Sequence, residues 1–90
     1  MKFRKKPIVI EAMQIPETNT DEFKVFCLAA NTEQRDRIVG YNNKGKLKLW
    51  VSSLEGVLEG MHPDWLVIGT RNEPYIVAGD IFPDIYEVAE

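Results

Sequence analysis

Apolar and polar residues alternate most regularly around the middle of the chain. Lys44, Lys46, Lys48 and Trp50 share one parity, while Leu47, Leu49 and Val51 share the other. A period of two marks a strand with one buried face. Arg37 to Tyr41 supplies a matching arm. Between the arms, Asn42, Asn43, Lys44 and Gly45 predict a hairpin in which Asn and Gly take positive φ. Pro7 to Ile15 follows another pattern, with apolar residues on both parities of Ile8, Val9, Ile10, Glu11, Ala12, Met13, Gln14 and Ile15. This predicts a central strand covered on both faces, opened by Pro7 and ended by Pro16.

Between these strands the period changes. Phe23, Phe26, Cys27 and Ala30 recur at helical spacing. Thr18, Asn19 or Thr20 can cap such a helix, Asn19 and Glu22 have capping-box spacing, and Asp21 and Glu22 oppose the positive helix end. Asn31 is a fair left-handed stop. In the second half, Gly56 to Glu59, Trp65 to Ile68, Tyr75 to Val77 and Ile85 to Val88 read as short strands. Pro63 and Asp64 turn the chain before Trp65, Gly69 to Pro74 reads as a hairpin loop, and Gly79 and Asp80 begin a turn or a single helical turn before Pro83. The fold expected is α+β: one helix packed on a curled, mainly antiparallel sheet of five to six strands.

Ninety residues make one domain. A chain this short buries only roughly 60–65% of its unfolded surface, so its stability margin is thin. An apolar fraction of 44% leaves material for a shared interface, and a dimer or tetramer is expected. No apolar run approaches the roughly 20 residues of a membrane helix, and the basic start is not followed by a signal-peptide core. One cysteine, Cys27, excludes an internal disulfide and fits a reducing cytoplasm.

Charge is distributed unevenly. Lys2, Arg4, Lys5 and Lys6 open the chain, whereas from Trp50 onward eight carboxylates face one cation, Arg71. An acidic half of this kind repels a phosphate backbone, so neither DNA nor RNA is an expected partner. The basic arm is expected to pair with the acidic half, within one subunit or between two.

Candidate chemistry is sparse. Lys46, Lys48, Trp50 and Ser52 fall on one strand face, where two ammoniums can hold a phosphate and an indole can stack on a base. The plainer alternative is a solvated face, with Trp50 covering a neighbour. Trp65 follows a tight turn among Leu66, Val67 and Ile68 and suits core packing, and Tyr75 and Tyr86 suit packing with the hydroxyl at a rim. Glu11 and Gln14 interrupt an apolar strand. A carboxylate there needs a cation or donors, either as an ion pair with the basic arm or as a grip on a ligand's hydroxyls or base edge. His62 lacks the further ligands that a metal site requires, and no cofactor is implied. Asp64 with Glu73 or Asp80 can be posed as a carboxylate pair, but nothing in the sequence fixes their separation. Cys27 lies on the apolar stripe of the helix, a poor setting for a nucleophile. With no nucleophile and base to name, the chain is read as non-enzymatic.

Several short motifs occur together in order. They are Met1, Lys2, Phe3, Arg4, Lys5, Lys6, Pro7 with Ile10, Glu11, Ala12, then Leu54, Glu55, Gly56, then Pro63, Asp64, Trp65, then Asp80, Ile81, Phe82 and Tyr86, Glu87. In this the chain resembles a family of small proteins encoded by bacteriophages and prophages. It departs from that pattern in lacking a glycine between Pro63 and Asp64. The resemblance implies a phage source and a cytoplasmic setting in the bacterial host, and brings no catalytic residues. Small phage proteins of this size include oligomeric sponges for nucleotide second messengers of bacterial immunity. By that analogy of size and origin, the expectation is a sequestering protein for a small anionic nucleotide-type ligand. Its pocket would lie between subunits, with Trp50, Trp65 or Tyr75 stacking on bases and Lys46, Lys48 or Arg71 meeting phosphates. The alternative is an interaction module or inhibitor that acts on a host or phage protein through the acidic half.

Overall fold

A computed structural model describes residues 1–3, 9–30, 38–53, 56–71 and 73–87. Arg4 to Lys6, Pro7, Ile8, Asn31, Arg37, Leu54, Glu55 and Val88 lie outside these residues, as does any pairing of Arg4, Lys5 and Lys6 with the acidic half. The described elements are β1 (Glu11–Gln14), α1 (Asp21–Ala30), β2 (Ile38–Asn43), β3 (Lys46–Ser53), β4 (Gly56–Met61), β5 (Trp65–Ile68), β6 (Pro74–Val77) and α2 (Phe82–Ile85).

All strand pairs are antiparallel, in two sheets of order β2–β3–β4 and β1–β5–β6. The class is α+β, as the sequence pattern predicts. The expected single curled sheet under one helix is corrected, because the six described strands divide into two three-stranded layers. Each layer turns an apolar face toward the other, and stacking these faces buries both. A ten-residue helix alone covers too little of a six-stranded sheet.

Leu47, Leu49 and Val51 of β3 meet Leu66 of β5 and Ile15 in one core, which Phe23 and Ala30 of α1 and Ile38 of β2 complete. Gly60 of β4 lets the layers approach. A Cβ at that position would stand 2.9 Å from Ile76 and 3.0 Å from Ile15 side-chain carbons. Beyond β1 the chain ties the layers together, since Ile15 N–H donates to the Asp64 carbonyl and Leu47 N–H to the Glu17 carbonyl.

Thr20 caps α1, its hydroxyl accepting from Phe23 N–H at 3.1 Å. In the β2–β3 hairpin, Asn43 pairs with Lys46, and Lys44 and Gly45 form the two-residue turn with φ of 53° and 82°. The positive φ therefore falls on Lys44 and Gly45, with both asparagines already in β2.

Two further expectations are corrected. β1 is an edge strand: Glu11 and Gln14 are exposed, and among described strands only β5 pairs with it. Its mixed pattern arises because Met13 packs toward the core while Ala12 lines a groove on the opposite face. The segment from Ile85 does not continue a strand, because Phe82–Ile85 forms the helical turn α2. Pro83 fits the first turn of a helix and cannot donate to a strand ladder.

Candidate functional site

The outer face of β2–β3–β4 follows from the register. Val39, Trp50 and Glu59 form one cross-strand row, and Tyr41, Lys48 and Met61 form the next. The Tyr41 hydroxyl and the Trp50 indole N–H both donate to one oxygen of Glu59, each at 2.9 Å. The two rings lie 4.9 Å apart at a tilt of 57°. The Glu59 carboxyl is held below its ordinary range, first by the Trp50 bond, then by the Tyr41 bond and the Lys48 charge. Trp50 remains 50% exposed. The result is an orientated indole on an open face, with Lys46, Lys48 and Ser52 of the same strand parity.

A second constellation covers the outer face of β1–β5–β6. Trp65 and Phe82 stack almost parallel, with centroids 4.0 Å apart and planes within 3°. Tyr86 follows Phe82 at 5.0 Å, and its hydroxyl shares a 2.9 Å hydrogen bond with that of Tyr75. Burial, followed by that bond, raises the Tyr75 hydroxyl above its ordinary value. Val67 is fully buried on this side, apart from the main core. Between α2 and β1 the rings wall a groove of about 600 Å³, bordered by Gln14, Trp65, Phe82, Tyr86 and Glu87.

The turn Met61–Asp64 sets one end of this groove. The His62–Pro63 peptide is cis. Gln14 Nε2 donates to the Pro63 carbonyl at 3.1 Å, and His62 Nδ1–H donates to the Ile15 carbonyl at 3.0 Å. The carboxylate of Asp64 accepts from Met61 and Gly79 N–H, each at 3.4 Å. Gly79 is required here, since a Cβ would overlap the Pro63 carbonyl oxygen.

The residues singled out from the sequence therefore separate. Lys46, Lys48, Trp50 and Ser52 share one outer face, while Gln14, Trp65 and Tyr75 belong to the other. In one chain the two indoles do not converge on a common pocket. Glu11 is exposed on the edge strand and Arg71 is exposed in the β5–β6 loop, and neither joins either grouping. Trp65 lines the groove as well as packing. Sequence reasoning passed over Tyr41, Glu59, Phe82 and Gly79. The pairing of Tyr41 and Glu59 with β3 was open to a register argument, because β3 neighbours both strands. The stacking of Phe82 on Trp65 had no local signal.

Cys27 is half-buried, and burial pushes its thiol up to about 11, which keeps it protonated. Among the described residues, no three His, Cys, Asp or Glu side chains come together as a metal site needs. No described helix is long and apolar enough to cross a membrane.

Fold and site together define a two-layer α+β protein with an aromatic constellation on each outer face. Comparison with family models, curated proteins and solved structures gave no match to this chain.

Proposed function

We propose that this protein is a non-enzymatic phage accessory protein that sequesters a small anionic nucleotide-type ligand at the outer face of β2–β3–β4. One observation carries the reading: Trp50 is half exposed yet fixed by Tyr41 and Glu59, on the same face as Lys46 and Lys48. A ring already orientated loses little freedom when a base stacks on it, and such a stack contributes ~1–3 kcal/mol. The ammoniums supply the phosphate contacts. The Trp50 and Tyr41 bonds and the Lys48 charge stabilise the ionised Glu59 carboxylate, which serves here as the anchor of the indole. A second copy placed over this face would close the site, in keeping with the dimer or tetramer that the thin core favours.

The test is calorimetric titration with cyclic di- and trinucleotides and cyclic ADP-ribose isomers. At least one should bind, and Trp50→Ala should weaken it by about tenfold or more, the worth of one base stack. No heat from any of them would remove the proposal.

A protein partner is the second reading. It is favoured by Val39 and Val57, exposed on the same face as Trp50, with Val57 71% exposed. An aromatic pair set among exposed aliphatics is the composition of an interface centre. Stoichiometric capture of one host protein that weakens with salt and is lost in Trp50→Ala would favour this reading over the first.

A further inference from the structure

The groove between α2 and β1 shares no residue with the Trp50 face, and its chemistry calls for a different occupant. Its walls are the Trp65, Phe82 and Tyr86 rings and the aliphatic side of β1. The parallel stack of Trp65 on Phe82 holds both rings in place at the groove wall. A volume of about 600 Å³ lies within the ~300–1,000 Å³ typical of small-molecule sites.

Two polar side chains set the ligand's chemistry. One amide proton of Gln14 goes to the Pro63 carbonyl, which leaves its carbonyl oxygen as an acceptor, beside the second N–H, at the edge of the groove. Glu87 is the one charged side chain among the described residues that line it. An ionised carboxylate only accepts hydrogen bonds. Both groups can accept from a ligand's donors, and the carboxylate repels phosphate.

We propose that this groove is a binding site for a planar, phosphate-free aromatic molecule carrying amino or protonated ring-nitrogen donors. Its rings pack against the Trp65–Phe82 stack, where a cationic heterocycle gains from aromatic contact as well as from burial. Its donors meet Gln14 Oε1 and the Glu87 carboxylate in charge-assisted hydrogen bonds. This site stands independently of the nucleotide reading, because it uses the opposite outer face and the opposite charge preference.

The chain has two tryptophans, so Trp50→Phe leaves Trp65 as the sole indole reporter. That full-length variant is titrated with proflavine, a planar cationic diamine, and with anthracene carboxylate, an anion of the same three-ring size. Proflavine should quench Trp65 saturably with one-to-one stoichiometry by calorimetry, and the anion should bind at least about tenfold more weakly. Adding Glu87→Gln, an exposed change that leaves the melting temperature in place, should weaken proflavine about tenfold, the worth of one charge-assisted bond. Unsaturable quenching, equal binding of the anion, or unchanged affinity in the Glu87→Gln variant would each overturn the proposal.

Discussion

Gly79 and Gly60 act as spacers at two close approaches. Gly79 lies against the Pro63 carbonyl, so Gly79→Ala must push the segment leading to α2 away from the Met61–Asp64 turn. The expected loss is about 2 kcal/mol, typical of overpacking against backbone. An unchanged denaturation midpoint would contradict this contact. For Gly60→Ala the nearest atoms are side-chain carbons of Ile15 and Ile76, which can shift, and the loss is expected to be milder. Tyr75 gives a pH dependence. Burial, the bond to Tyr86 and the nearby Glu73 charge raise its hydroxyl above the ordinary 10.0. The folded state thus holds this proton more tightly than the unfolded chain. The stabilisation is complete below about pH 10 and is lost as pH rises from there toward the folded value. Tyr75→Phe should flatten that alkaline limb in melting temperatures measured against pH. A limb that persists unchanged would assign it to other groups.

At the scale of elements, α1 depends on its start. Three polar residues were candidate caps, and Thr20 takes the role through its bond from Phe23 N–H. Thr20→Ala is expected to cost about 1 kcal/mol, while Asn19→Ala, exposed and next to it, should leave the unfolding midpoint in place. Equal losses would mean that the cap is shared. The elements legible from sequence were those with a local pattern. The parity of β3 assigned Leu47, Leu49 and Val51 to the core and Lys46, Lys48 and Trp50 to the surface, and the burial agrees. The helical spacing of Phe23 and Ala30 was equally plain. The neighbours of an element were much less legible. Both parities of β1 are apolar because a core lies on one side and a groove on the other, a pattern that a central strand produces equally well. For α2, the apolar run around Ile85 resembled a strand, and Pro83 decided for a helical turn. The candidate sites divide in the same way. The Lys46, Lys48 and Trp50 face needs only strand parity, whereas the groove needs Gln14, Trp65 and Phe82, which are brought together by long-range packing.

In the whole molecule, the stretch from Ile15 to Glu17 bonds to both layers: Ile15 N–H to the turn before β5, and Leu47 N–H of β3 to Glu17. Neither layer can leave the common core without breaking this tie. The Ile15 and Leu47 amides are therefore expected to exchange with solvent at the same free energy, that of global unfolding. Faster exchange at Ile15 would show that β1–β5–β6 opens by itself.

Stacking the layers inner face to inner face also turns their decorated sides away from each other. A molecule seated against Trp50 and one seated against Trp65 would not compete for space. A single chain is in this sense a two-sided coupler, with one indole for each side. The shared core that includes Leu49, Val51 and Leu66 lies between them, and a variant that keeps one indole can report on its own side while the other side is occupied.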